Sequence, residues 1–126
     1  MSAGHPILRA FKTASFSKAA KKALITDAEL HAALGQAIKG LVDDLGGGVF
    51  KKRLNDNMHR SIILAKGGRY WVYEYLFAKK NRKNIDDAEL IEFRKLAKIY
   101  AGLTDRQLDQ LLKDKNLMEI SDGDKT

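Results

Sequence analysis

The sequence predicts an α+β domain on an antiparallel sheet. Two observations carry this. The elements run strand, two helices, three strands, two helices. Apolar spacing changes from three-and-four to near-continuous strand runs in the middle of the chain, then back again. The chain has 126 residues, which suits one domain, expected over residues 7–120, with 121–126 as a disordered tail.

Ile7 to Lys12 suits a first strand, and Ser17 to Leu24 a short helix with Ala19, Ala20, Ala23 and Leu24 on one side. Thr26-Asp27-Ala28-Glu29 reads as a capping box, in which hydroxyl and carboxylate each satisfy one free amide. Behind it Leu30, Ala33, Leu34, Ala37, Ile38 and Leu41 form an apolar stripe. The run Asp43 to Gly48 ends that helix in a glycine turn. Val49 to Leu54 is the next strand, and Asn55-Asp56-Asn57 a turn. Arg60 to Ala65 and Tyr70 to Ala78 form a hairpin around Gly67-Gly68, and the second of these, aromatic and apolar on both faces, should be central. Asp86 opens a helix carrying Leu90, Phe93, Ala97 and Tyr100, closed by Gly102. Thr104 to Gln107 caps another, with Leu108, Leu111 and Leu112 serving as core or as a docking face. Asn116 to Ile120 suits a short extended piece.

Hydrophobic residues make up 44% of the chain and charged residues 31%, enough apolar matter for a core and against a wholly disordered chain. The absence of cysteine excludes disulfide scaffolds, thiolate metal sites and cysteine nucleophiles. His5, His31 and His59 lack metal-ligand spacing, and Gly46-Gly47-Gly48 lacks the continuation of a phosphate loop, so neither a metal nor a cofactor is expected. With no apolar signal core and no spanning run, a soluble, cytoplasmic protein is expected.

The formal net charge is +7, but residues 49–83 hold ten Lys/Arg against two Asp/Glu. Basic charge so concentrated attracts polyanions, nucleic acid above all. Strand parity sharpens the reading. Phe50 and Leu54 need a core, so Lys51 and Arg53 project together from the other face, as a phosphate backbone requires. If Gly67-Gly68 is the whole hairpin loop, Ile62 opposes Tyr73 and Arg60 opposes Tyr75; Arg60 could then grip a phosphate while Tyr75 stacks on a base. Lys79, Lys80, Arg82 and Lys83 form a basic rim at the strand's end. His59, beside Arg60, suits RNA contact or proton transfer near neutral pH. Glu74, inside an apolar strand, is expected to pair with a cation across the sheet.

Together these residues resemble a known family. Asp44 to Arg53 with its triple-glycine turn, Arg60-Ser61-Ile62-Ile63, Tyr75 to Asn81 and the Leu90 to Lys98 helix are similar to the RelE/HigB toxins of bacterial type II toxin–antitoxin pairs. The resemblance implies a microbial-RNase-like fold, with N-terminal helices packed on one face of a small sheet, a cleft on the other and two C-terminal helices. It implies a ribosome-dependent endonuclease, an mRNA interferase that inhibits translation, with a site of Lys and Arg. The family's alternating cations fall on Lys51 and Arg53, its strand-leading arginine on Arg60, and its basic pair on Lys79 and Lys80. Leu76 stands where glycine is common, and Asp86 lies near the place of a tyrosine that some members carry.

The implied reaction is attack of a ribose 2′-OH on the adjacent phosphate. Lys51 is the base on this reading, because like-charge repulsion lowers a lysine's pKa. Arg53 and Arg60 hold the phosphate, and Lys80, or else Lys79, serves the leaving group or the backbone. Implied partners are the ribosome, its mRNA and a helix-turn-helix antitoxin. The alternatives are a non-nucleolytic gyrase inhibitor of the ParE kind and a non-catalytic RNA-binding module.

Overall fold

The computed structural model describes residues 9–67 and 69–120. Ile7, Leu8, Gly68 and the expected tail at 121–126 lie outside the described residues. The chain runs β1 (Arg9–Thr13), α1 (Ala14–Lys22), α2 (Asp27–Ile38), β2 (Asp43–Gly46), β3 (Val49–Leu54), β4 (His59–Leu64), β5 (Tyr70–Ala78), α3 (Asp87–Ala101), α4 (Asp105–Lys113) and β6 (Leu117–Glu119). One open sheet has the order β2-β3-β4-β5-β1-β6, antiparallel except where β1 runs parallel to β5. The α+β class and the central place of β5 stand as expected.

Each face of the sheet has its own core. α1 and α2 cover one side, burying Phe16, Ala20, Leu30 and Leu34 against Ile63, Tyr73 and Leu54. Tyr73 is fully buried there, and its hydroxyl donates to the Leu30 carbonyl at 2.7 Å, so a large ring is buried without stranding its polar tip. α3 and α4 cover the other side, where Ala97 and Leu108 pack with Val49, Ile62, Leu64 and Val72. Leu111 and Leu112 pack against the same cluster, so the α4 stripe is core rather than a docking face.

Several local expectations change. α1 starts at Ala14 because the Thr13 side chain accepts from the Phe16 amide. Thr26 caps α2 as expected, but Glu29 does not complete the box; its carboxylate accepts from the Asn55 amide instead. α2 stops at Ile38 and the chain turns through Gly40 at φ +95°, leaving Leu41 off the stripe and 62% exposed. The segment read only as a helix end contains β2, paired to β3 with an irregularity between Asp44 and Gly46.

The glycine turn between β2 and β3 is a backbone requirement. Gly47 (φ +65°) and Gly48 (φ +85°) lie in the left-handed region. A Cβ on Gly47 would meet Arg94 Cγ at 2.7 Å, and one on Gly48 would meet Lys66 Cβ at 2.7 Å with its backbone Cα at 3.2 Å. Arg94 reaches the turn from α3 and donates to the Leu45 and Gly46 carbonyls. Among the described residues no helix is long and apolar enough to cross a membrane.

Gly48→Ala should lower unfolding free energy by at least about 2 kcal/mol, since left-handed strain and a backbone clash add. Gly35→Ala, within α2 and with nothing within 4 Å of the new methyl, should raise it by about 0.5–1 kcal/mol. Urea titration of both variants checks the contrast.

Candidate active site

The site begins at a strained turn. Asn55, Asp56 and Asn57 all have positive φ (55°, 52° and 71°), a conformation that Asn and Asp tolerate better than other non-glycine residues. The Asn55 amide donates to Glu29 Oε2 at 2.5 Å, and its Nδ2 lies 3.4 Å from the Ala23 carbonyl and 3.1 Å from His59 Nδ1. Only a donor suits the carbonyl, so Nδ2 donates, His59 Nδ1 accepts, and the ring proton sits on Nε2. α1 and α2 thus fix the turn, and the turn fixes the strand register.

That register sets Arg53 directly opposite Arg60 and Lys51 opposite Ile62. Alternation then puts Lys51, Arg53 and Arg60 on the Val49–Ile62 side of the sheet. α3 and α4 close the Val49 end of this side. Towards the turn it opens, with Arg53 exposed and Lys51 and Arg60 half-buried. Lys51 Nζ donates to Asn84 Oδ1 at 3.3 Å, and Arg60 Nη1 donates to the Asn57 and His59 carbonyls at 3.0 and 3.2 Å. Among the described residues none of the three cations forms an ion pair. Asp43 of β2 stands opposite Lys51, but Arg53 faces Arg60; like charges directly opposite on a sheet are destabilising, so this pair suits a bound anion. The lysine whose pKa falls is Lys52, through burial first and Arg53 second; parity sends it to the opposite face.

The β4–β5 register differs from the simple two-residue hairpin. Leu64 pairs with Val72, Ile62 with Tyr75 and Arg60 with Phe77, not Tyr75. The loop is longer, because the Ala65 amide turns to the Gly48 carbonyl, and an irregularity at Glu74 shifts the ladder again. Two one-residue slips restore parity, so Tyr75 still shares the face of Arg60. Tyr75 stacks on Phe77 at 5.6 Å and lies 6.0 Å from Phe93.

The rim residues divide. Arg82 lies over the Tyr75 and Phe77 rings at 5.9 and 5.6 Å, donates to the Tyr75 hydroxyl, and is held by both oxygens of Glu89 at 3.0 and 2.5 Å. The pairing raises the Arg82 pKa and, with the Asp86 amide, lowers that of Glu89. Lys83 is exposed. His59 falls on the face opposite Arg60 by alternation. With Lys79 and Lys80 it lines a separate cavity of about 740 Å³ that also takes in Lys22, Asn57 and Met58. The structure therefore brings Lys51, Arg53 and Arg60 together, and sets Lys80 and His59 apart from them.

Among the described residues Glu74 finds no cation. Its Oε1 accepts from the Tyr100 hydroxyl at 3.3 Å, and burial pushes its pKa up to about 7 although that hydrogen bond pulls the other way. Sequence reasoning missed Asn84, Glu89 and Lys22. Asn84 beside the Asp86 cap was the one readable signal; the other two depend on how distant segments fold together. Among the described residues no group of three or more metal-ligating side chains comes together.

A family model described as the RelE toxin of the RelE / RelB toxin–antitoxin system matches residues 8–120. The chain belongs to the RelE toxin family. The protein is therefore the toxin of a toxin–antitoxin system, with a cognate antitoxin as its partner. No curated protein and no solved structure gives a significant match. In this RelE-type toxin the three clustered cations sit on the face away from α1 and α2.

Because the Glu74 pKa is higher folded (about 7) than unfolded (4.5), the folded state holds the extra proton between those values, and stability falls as pH rises through that window. Allowing for partial solvent access, the loss should be about 1–2 kcal/mol. Glu74→Gln keeps an acceptor for Tyr100 and should flatten this window. Chemical denaturation at pH 5 and pH 8 should show the variant and parent alike at the lower pH and the variant more stable at the higher.

Proposed function

We propose that this RelE-type toxin is a metal-independent endoribonuclease that cuts mRNA on the ribosome and so stops translation. The observation that carries the reading is the direct Arg53–Arg60 opposition with Lys51 two residues along, none of the three in an ion pair among the described residues. A phosphodiester passing through a pentacovalent state gains negative charge, and fixed cations stabilise that state more than the ground state.

Lys51 takes the ribose 2′ proton. The 2′ oxygen forms its bond to phosphorus as the bond to the 5′ oxygen breaks, leaving a 2′,3′-cyclic phosphate. Arg53 and Arg60 hold the non-bridging oxygens, and the 5′ oxygen leaves with a proton drawn from solvent at the open end. Asn84 orients Lys51 through its 3.3 Å hydrogen bond. Lys79, Lys80 and Lys83 contact the RNA backbone, and Tyr75, capped by Arg82, supports a base. The antitoxin is of the helix-turn-helix type, and the complex works in the cytoplasm.

Arg60→Ala should cut the cleavage rate on programmed ribosomes on the order of 10²-fold, the usual effect of removing one electrostatic donor. Primer extension on translated mRNA measures it, and wild-type cleavage by the variant refutes the role. Inhibition of gyrase supercoiling by the wild type without any RNA cuts would favour the non-nucleolytic reading.

A further inference from the structure

The large cavity between α1, the β3–β4 turn and the end of β5 is outside the Lys51–Arg53–Arg60 cleft. Three ammonium groups line it, Lys22, Lys79 and Lys80, against one carboxylate, Asp56. Lys79 and Lys80 are exposed and form no ion pair among the described residues, and neither does Lys22. Its wall carries Met58, 57% exposed on an otherwise polar turn, together with the Asn57 amide. His59 adds an Nε2–H donor, since its Nδ1 is taken by Asn55. The wall is anchored: Asn55, the first of three successive left-handed residues, is bonded to Ala23 at the end of α1 and to Glu29 of α2. Strain kept in place by such bonds is characteristic of binding and catalytic sites. An apolar patch with amide and imidazole donors inside a ring of ammonium groups matches a nucleotide, with its base on Met58 and its phosphate on the lysines.

The cavity also adjoins the cleft, because Asn57 and His59 line it while their carbonyls accept from Arg60. We propose that it holds a nucleotide of the same message strand, next to the phosphate held by Arg53 and Arg60. This rests on the nuclease reading above and adds a second subsite, with Lys22 and Met58 as specificity-determining contacts.

Fluorescence anisotropy with an eight-nucleotide 2′-O-methyl RNA, which cannot be cut, tests it at low salt. Lys22→Glu should weaken binding about tenfold and reduce the log–log salt slope by about 0.7, the share of one phosphate contact on a single strand. Met58→Ala should weaken binding several-fold for the RNA and leave binding of a deca-glutamate peptide unchanged. Both side chains are exposed, so unchanged urea midpoints check folding. If both variants bind as wild type while Arg53→Ala is weakened, the cavity proposal falls and the cleft stands. If Arg53→Ala is also unaffected, or the wild type does not bind, the nucleic-acid reading itself falls. If deca-glutamate binds as tightly as RNA and is lost equally on Lys22→Glu, the cavity reads acidic charge rather than a nucleotide. Weakened binding to empty ribosomes alone would assign it to ribosomal RNA, against the proposal.

Discussion

The pairing register of β3 with β4 is the constraint on which the rest depends. With Leu54 opposite His59, the ladder sets Arg53 against Arg60 and keeps both on one face. A slip of one residue would send Arg60 to the side covered by α1 and α2 and bring His59 out in its place. The charge pair itself opposes this register. What favours it is the burial of Ile62 and Leu64 with Val49 on one face and of Ile63 with Leu54 on the other, each worth roughly 1.5–3 kcal/mol against a few tenths for two half-solvated cations. The Asn55–Asn57 turn adds a mechanical stop, because Glu29 and Ala23 hold Asn55 at one point only. Glu29's departure from the α2 capping box is therefore part of how the site is made.

Charge is sorted by position rather than balanced overall. Arg9, Lys12, Arg69 and Arg82 meet Glu119, Asp27, Asp105 and Glu89, and all four pairs join segments that need holding. The carboxylates near the start of α3 are committed as well: Asp86 caps the helix and Glu89 accepts both the Asp86 amide and Arg82. Glu74, which could have neutralised the cleft from β5, turns to Tyr100. Among the described residues Lys51, Arg53 and Arg60 form no ion pair, so part of the middle segment's positive potential is left for this cleft.

How much of this the sequence discloses follows from the range of the interactions involved. Lys51 and Arg53 are readable by parity because a strand's alternation is local. Arg60 is readable as far as its face, since the slip at the β4–β5 loop and the slip at Glu74 cancel, but its neighbour Phe77 is not. The caps at Thr104 and Asp86 involve residues three apart and are visible as spelled. β2 is not, because Asp-Asp-Leu-Gly has little strand propensity and pairs only when the glycine turn folds it onto β3. The fate of Arg82 is hidden for a related reason. A run of Lys and Arg reads as a solvated rim, and only the approach of α3 shows that one member is stacked on Tyr75 and Phe77 and bound to Glu89. The separation of Lys80 from Lys51 likewise depends on how the chain leaves β5 after Ala78.

The side chains near the scissile position on the proposed reading are mainly cations and aromatics, and this limits what they can do for the reaction. The histidine lies across the sheet, Glu89 is held by Arg82 and the Asp86 amide, and Asp43 faces Lys51 from β2. Proton transfer then rests on Lys51, while charge stabilisation is available at once from two arginines. A site strong in electrostatics and weak in general base gains most when its substrate arrives already shaped for in-line attack. Free RNA samples that geometry rarely; RNA held by a larger assembly can be kept there. On the proposed reading, dependence on the ribosome supplies the orientation that the toxin's own side chains do not enforce, from the complex in which the message is held.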